Sequence, residues 1–235
     1  MILKVVSFNL WSDPFLKNER TEWVYTHIIK EKPDIILFQE VSNSNVLELT
    51  KKLRKYNYQY KVVSEGRTVY EMICSKWQIT NHKFNRYSTS KTNRGLLWAD
   101  LRINGSIVTV ASTQLDQGTG EIQKRLGQLD CILKSLANLH HTTIIGCDTG
   151  FIKENYNLSH WKDAWVSTGK KVPQYTYDSK RNKNITKNIQ TRPDRIYYQG
   201  GITDPIYELI GTAECCGLLN ANPSTHFGIC CTFTL

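Results

Sequence analysis

Three polar side chains in this chain stand where apolar runs end, and their chemical types suit work on phosphate. Glu40 follows the run Ile35–Phe38 and Gln39. A carboxylate in that position opposes folding unless it opens into a cleft or meets a cation. Magnesium takes a few hard oxygen ligands of this kind and keeps several of its waters. Asn9 ends the first apolar run, Ile2–Phe8, and its carboxamide can donate to a phosphate oxygen or orient a water. Asp148 closes a third run, Ile144-Ile145-Gly146-Cys147. Taken singly, an asparagine at a strand end is a turn former and a glutamate there a cap for the next turn. The pairing of Asn9 with Gln39-Glu40 across two neighbouring strands favours the functional reading.

The elements that must position these residues alternate between strand and helix. Ile2–Phe8 and Ile35–Phe38 read as buried strands, with a helix over Glu19–Lys30 stopped by Pro33. A second helix spans Asn45–Lys55, and short strands follow near Gln59–Val63, Glu71–Cys74 and Ile79–Phe84. Leu96–Ile103 and Ser106–Ser112 flank Asn104-Gly105, a strong hairpin signal. In Glu121–Leu136, residues Ile122, Leu126, Leu129, Leu133 and Leu136 fall at helical spacing. Thr143–Gly146 is a strand, 151–191 is polar and loop-rich, and strands resume at Arg195–Gln199 and Phe227–Leu235. The mixture indicates an α+β protein with helices covering sheets, as one domain over 1–235.

Composition narrows the partners. Of 235 residues, 40% are hydrophobic, which suits a folded core, and no segment approaches the ~20 apolar residues of a membrane span. The N-terminal run is short and broken by Lys4, so the expectation is a cytoplasmic or nuclear protein that is not secreted. The formal charge of +9 is uneven, because 162–195 carries nine Lys/Arg against three acids while 196–235 carries no base. A basic stretch with aromatics suits a polyphosphate, and a solvated lysine-rich surface is the bland alternative. Seven cysteines include the adjacent pairs Cys215-Cys216 and Cys230-Cys231. Neighbours on a strand point to opposite faces, which argues against one zinc ion between the pairs and for buried, reduced thiols.

The motifs Ser7-Phe8-Asn9, Phe38-Gln39-Glu40-Val41, Ser112-Thr113-Gln114-Leu115, Gly146-Cys147-Asp148-Thr149-Gly150, Arg192-Pro193-Asp194-Arg195 and Ser224-Thr225-His226-Phe227-Gly228 occur in that order. Together they resemble the endonuclease/exonuclease/phosphatase superfamily, and within it the tyrosyl-DNA phosphodiesterase 2 branch, over nearly the whole chain. The resemblance implies a four-layer α/β/β/α sandwich with the site at one edge. It implies Glu40 as the ligand of a magnesium or manganese ion, and Asn9, Asp148, Asp194 and His226 as catalytic residues. Asp148 readies the attacking water, and Asp194 holds His226. It further implies that Arg94, Tyr177 and Arg192 bind substrate, with Tyr177 as an aromatic wall or an ordinary strand-packing residue. Arg125 and Gln128 face one side of their helix and buttress the loop carrying Gln114.

The pattern breaks at three positions. Gln114 stands in place of a histidine, Gly150 in place of an asparagine, and Thr225 in place of an aspartate. Losing one preorganised donor to a developing oxyanion lowers a rate by ~10²–10³. Gln114 retains a donor, Gly150 retains only backbone, and Thr225 removes a negative charge that would raise the proton affinity of His226. Thr149 and Asn155 are candidate replacements for the missing carboxamide. Two functional classes follow. One is a metal-dependent phosphodiesterase that hydrolyses 5′-phosphotyrosyl bonds at nucleic-acid 5′ ends. The other is an inactive homologue that binds nucleic acid or a protein partner on the same scaffold.

Overall fold

Residues of the first two apolar runs are buried on both faces, so their strands need cover on both sides. β1 (Ile2–Asn9) and β2 (Ile35–Ser42) pair in parallel, which demands a crossover, and α1 (Lys17–Glu31) supplies it. The computed structural model describes residues 1–58, 60–64, 68–118, 120–137, 139, 141–150, 156–170, 175–215 and 221–235. Asn155 and Cys216, singled out in the sequence, and Gln59, the first residue of an expected strand, lie outside that set.

The chain continues through α2 (Asn43–Leu53), β3 (Tyr60–Val63), β4 (Val69–Ser75), β5 (Gln78–Arg86), β6 (Gly95–Ile103) and β7 (Ser106–Gln114). Then come α3 (Ile122–Ala137), β8 (Thr143–Asp148), β9 (Lys162–Asp163), α4 (Ala164–Ser167), β10 (Tyr177–Asp178) and β11 (Gln190–Thr191). β12 (Asp194–Gln199), β13 (Ile206–Ile210) and β14 (Gly228–Thr234) complete it. One six-stranded sheet has the order β13-β14-β1-β2-β4-β3, and a second has the order β5-β6-β7-β8-β12-β9. The β6–β7 hairpin turns at Asn104 and Gly105, both at positive φ, as a tight two-residue connection requires. No helix among the described residues is long and apolar enough to cross a membrane.

The sheets pack face to face. Leu3, Val5, Ile35 and Leu37 of the first meet Leu97, Ala99, Val110, Ile144 and Ile196 of the second in one buried cluster. On the outer face of the first sheet, Val6, Phe8, Ile36 and Phe38 pack against Val24 and Ile28 of α1 and Leu49 and Leu53 of α2. On the outer face of the second, Ala111, Ile145 and Tyr197 pack against Leu129, Ile132 and Leu136 of α3. The architecture is therefore the α/β/β/α sandwich that the sequence resemblance implied. Cys230 joins the outer cluster and Cys231 the inner one, so the pair does point to opposite faces.

Strand β13 was not legible in the sequence. Among the described residues it is an edge strand paired only with β14, just five residues long, with Ile206 and Glu208 exposed and Tyr207 and Ile210 buried. β9 and α4 also went unseen within the polar stretch, being two and four residues long.

The sheets approach closely at Gly146, where a Cβ would lie 2.6 Å from Ser7 Oγ and 2.9 Å from Leu37 Cδ1. Gly146→Ala is expected to push the sheets apart and destabilise the fold by ~1–3 kcal/mol, the usual effect of overpacking a tight core. Urea unfolding measures it, and an unchanged midpoint would show that the interface yields freely.

Candidate active site

Among the described residues each six-stranded sheet has one parallel strand pair, β1–β2 and β7–β8, and the site forms at the C-terminal ends of both. In the first sheet, Asn9 is in register with Gln39, one residue before Glu40. In the second, Gln114 is in register with Asp148, and Asp148 with Asp194 at the start of antiparallel β12. His226 stands two residues before β14, which pairs with β1. The facing sheets are locked just beneath by buried hydrogen bonds. Gln39 Nε2 donates to Ser112 Oγ at 3.0 Å, and Ser112 Oγ donates to the Phe38 carbonyl at 2.8 Å.

Glu40 adopts φ 55, a left-handed conformation that non-glycine residues rarely take. It belongs to a β-bulge, since Phe38 pairs with Met72 and Val41 with Tyr70, so Gln39 and Glu40 together oppose Glu71. The bulge turns the carboxylate out of the ladder into a cleft of ≈ 290 Å³ lined by Ser12, Thr68, Val69, Thr92 and Arg94. Ser12 donates to Glu40 Oε2 through its N–H at 2.9 Å and its hydroxyl at 3.0 Å. Burial pushes the Glu40 carboxyl up, but these bonds, Gln114, and the charges of His226 and Arg94 outweigh it and hold the group below the ordinary carboxylate range.

Gln114 replaces a histidine with an amide that bridges two carboxylates. Its Nε2 donates to Glu40 Oε1 at 2.6 Å and Asp148 Oδ2 at 2.9 Å, while its Oε1 accepts from Arg94. Asn9 Nδ2 donates to the same Asp148 oxygen at 2.8 Å and to Glu40 Oε1 at 3.4 Å. The Trp11 N–H, 2.8 Å from Asn9 Oδ1, fixes which way that amide faces. Burial drives the Asp148 carboxyl upward against the lowering effect of His226.

His226 Nδ1 lies 2.8 Å from Asp194 Oδ2. Burial alone would lower the proton affinity of the ring. Asp194, by charge and hydrogen bond, and then Asp148 and Glu40 reverse that and raise the pKa to about 9. The carboxylate missing at buried Thr225 therefore does not leave His226 neutral. Asp148, Asp194 and His226 bring ligand atoms within 4.8 Å of one another, an arrangement that can also hold a metal. A metal bound by this trio would have to displace the proton that Asp194 helps the ring to keep, so the trio suits anion and proton chemistry, whereas Glu40 already offers an ionised oxygen to a cation.

Tyr177, on β10, sets its ring edge-on to His226 with centroids 5.1 Å apart, which places it against the site and half-buried. Arg94 lines the cleft. Arg192, expected to bind substrate, is instead buried and engaged by protein groups. Its Nη1 donates at 3.0 Å to both oxygens of buried Asp163, and its guanidinium lies 4.5 Å from the Trp165 ring. Asp163 caps α4 and is buried, so it needs compensating cations, and Arg192 and Arg195 provide them. Thr149 is committed elsewhere as well, with its hydroxyl and its N–H both donating to the Pro193 carbonyl.

Arg125 and Gln128 do brace the loop after Gln114. Gln128 accepts from the Asp116 N–H and donates to Asp116 Oδ2, both at 3.0 Å, while Arg125 donates to the Gly118 carbonyl at 2.9 Å. Asp116 then receives Ser90 and Thr92, each at 2.8 Å, ordering the loop that presents Arg94. These bonds and Lys124 outweigh burial and hold the Asp116 carboxyl at about 2.

Arg20 was missed in the sequence. It is 2% exposed, and its five N–H donors reach the carbonyls of Phe15, Leu10, Pro223, Trp11 and Asp13. It ties the loop carrying Ser12 to the loop preceding His226. A signal existed, because Arg20 sits four residues before Val24 and eight before Ile28 on the buried stripe of α1.

No protein-family model matches the chain. Tyrosyl-DNA phosphodiesterase 2 of Xenopus tropicalis is 26% identical over 234 residues, covering 92% of this chain and 62% of that protein. A crystal structure of the D. rerio enzyme of the same name, complexed with single-strand DNA product, superposes with a TM-score of 0.91 at 22% identity, covering 100% of this chain and 99% of that one. The chain has the endonuclease/exonuclease/phosphatase fold and is similar to tyrosyl-DNA phosphodiesterase 2. An endonuclease/exonuclease/phosphatase from Bacteroides vulgatus shares that fold at a TM-score of 0.79 and 15% identity, covering 100% of this chain and 99% of its own. The chain spans 62% of the length of the first curated relatives it matches.

Proposed function

We propose that this endonuclease/exonuclease/phosphatase-fold protein is a divalent-metal-dependent phosphodiesterase that hydrolyses 5′-phosphotyrosyl bonds at nucleic-acid ends, in the nucleus or cytoplasm. One observation carries the reading. Despite the substitutions, Asn9, Glu40, Asp148 and the Asp194–His226 couple remain convergent, with Gln114 joining the two halves by hydrogen bonds of 2.6 and 2.9 Å. The donor set fits magnesium or manganese, because Glu40 is an ionised, hard oxygen ligand turned into a cleft, and its long 3.4 Å contact with Asn9 is weak enough to yield to an ion. A bound ion would polarise the phosphate as a Lewis acid.

The chain's own groups account for the remaining chemistry. Asp148, with its carboxyl pushed up by burial, accepts the proton of the attacking water as the new P–O bond forms. The imidazolium of His226 and the amide of Asn9 donate to the phosphoryl oxygens as charge develops. The bond to the tyrosyl oxygen breaks and releases phenolate, a leaving group that requires little help from an acid. Tyr177, beside His226, presents a ring face on which a terminal base can stack, a contact that tolerates sequence and contributes ~1–3 kcal/mol. Exposed Arg181, 5.2 Å from the Phe227 ring next to His226, extends a positive rim.

Incubation of a 5′-phosphotyrosyl oligonucleotide with magnesium or manganese tests the reading. Release of tyrosine with a 5′-phosphate product, dependent on the metal, is the expected result. Folded protein that gives no turnover overturns it. The neutral amide at Gln114 in place of a histidine favours the second reading, a binder that holds nucleic acid without cutting. Metal-dependent oligonucleotide affinity without cleavage would establish that one.

A further inference from the structure

The most consequential gap in the motif set is the carboxamide absent at Gly150, and the structure shows another amide beside that space. Gly150 sits at φ +61, and a Cβ added there would lie 3.1 Å from Gln117 Oε1, 3.2 Å from Gln117 Nε2 and 3.0 Å from Arg125 Cδ. A side chain at position 150 and the Gln117 amide thus compete for one volume. We propose that Gln117 supplies the phosphate-contacting amide that position 150 lacks, an inference that rests on the phosphodiesterase reading of this site.

Hydrogen-bond geometry shows why this amide is free to serve. Asp148 Oδ2 has two lone pairs, and Asn9 at 2.8 Å and Gln114 at 2.9 Å occupy them. Gln117 Nε2 is the third donor aimed at that oxygen, at 3.4 Å, and its other contact, with the Leu115 carbonyl, is 3.5 Å long. Both bonds sit at the limit of useful length, so an incoming phosphate oxygen displaces little. Gln117 is also exposed, with its amide beside Asp148, and its loop is held from behind by Arg125 and Gln128. Thr149, the nearest alternative by sequence, directs its donors to Pro193.

The test exchanges the amide between the two positions. Gln117→Ala should lower kcat roughly 10²-fold, the scale of one lost oxyanion donor, with KM changed by less than about threefold. Gly150→Asn alone should also lose rate, because the new side chain crowds Gln117, although an asparagine tolerates that backbone. The double variant Gln117→Ala/Gly150→Asn should recover to within roughly tenfold of the unaltered protein. A role in folding alone predicts no such reciprocal rescue. Turnover of Gln117→Ala within about threefold of the original, or a double variant no better than Gln117→Ala, overturns the assignment. Should the unaltered protein show no turnover, the proposed activity fails, and affinity for a 5′-phosphorylated single strand in magnesium decides the role of Gln117 separately. A drop of roughly tenfold in Gln117→Ala that the double variant restores supports it, and equal affinities overturn it.

Discussion

Glu40→Ala is expected to lower phosphotyrosyl hydrolysis by roughly 10³-fold or more, since a Lewis-acid metal contributes several kcal/mol at the transition state and each 1.36 kcal/mol is tenfold. Glu40 is the carboxylate the bulge turns into the cleft, and its φ of 55 shows backbone conformation committed to that orientation. Alanine keeps the β-carbon but offers the ion nothing. Ser12 and Gln114 lose their acceptor while a buried charge is removed, so the net change in stability is small beside the change in rate. A thermal-shift titration supplies a readout independent of turnover. Magnesium should raise the melting temperature of the original protein and leave that of Glu40→Ala unchanged. A variant retaining a tenth of the original turnover would remove Glu40 from the metal site.

The second large effect concerns Asp194→Asn. His226 has its pKa raised from 6.5 to about 9, with Asp194 the leading favourable cause against burial. A raised pKa stabilises the folded state fully below pH 6.5, and that contribution is lost as pH climbs through about 9. The coupling is on the order of 3 kcal/mol, from the difference between the two values. Unfolding free energy of the original protein should thus decline across that window, and in Asp194→Asn the decline should shrink sharply. The basic limb of kcat/KM should move the same way, from near pH 9 towards neutrality, though Asp148 and Glu40 still favour the imidazolium. Rate profiles and urea titrations at several pH values measure both. An unmoved basic limb would show that the imidazolium does not act in the reaction.

Much of the frame was legible because its signals are local. Apolar runs ended by Asn9, Glu40 and Asp148 gave the strands and their chemistry together. Asn104-Gly105 marked its hairpin, and the spacing of Leu126, Leu129, Leu133 and Leu136 marked α3 to within one residue at each end. What stayed hidden depends on partners distant in sequence. Arg192 carries the right motif, yet buried Asp163, twenty-nine positions earlier, takes its charge. The left-handed turn at Glu40 follows from pairing with β4, which no run of residues around Glu40 encodes. Gln117 gave no signal at all, because an exposed glutamine in a loop matches no pattern until Gly150 stands next to it.

The placement of the site on two sheets has a further consequence for how such a protein can change. Asn9, Glu40 and His226 belong to one sheet or its loops, and Gln114, Gln117, Asp148, Gly150 and Asp194 to the other. The cleft is a seam, and a residue that faces across it must still satisfy its opposite number, as the amide of Gln114 satisfies Glu40. Variation along one side is less constrained. An amide lost from the loop after β8 can return from the loop after β7, because both loops leave neighbouring strands of the same sheet. Of the chain's three departures, positions 114 and 150 lie on that one side and Thr225 on the other, beside His226, where Asn9, Glu40 and His226 keep the residues their motifs lead one to expect.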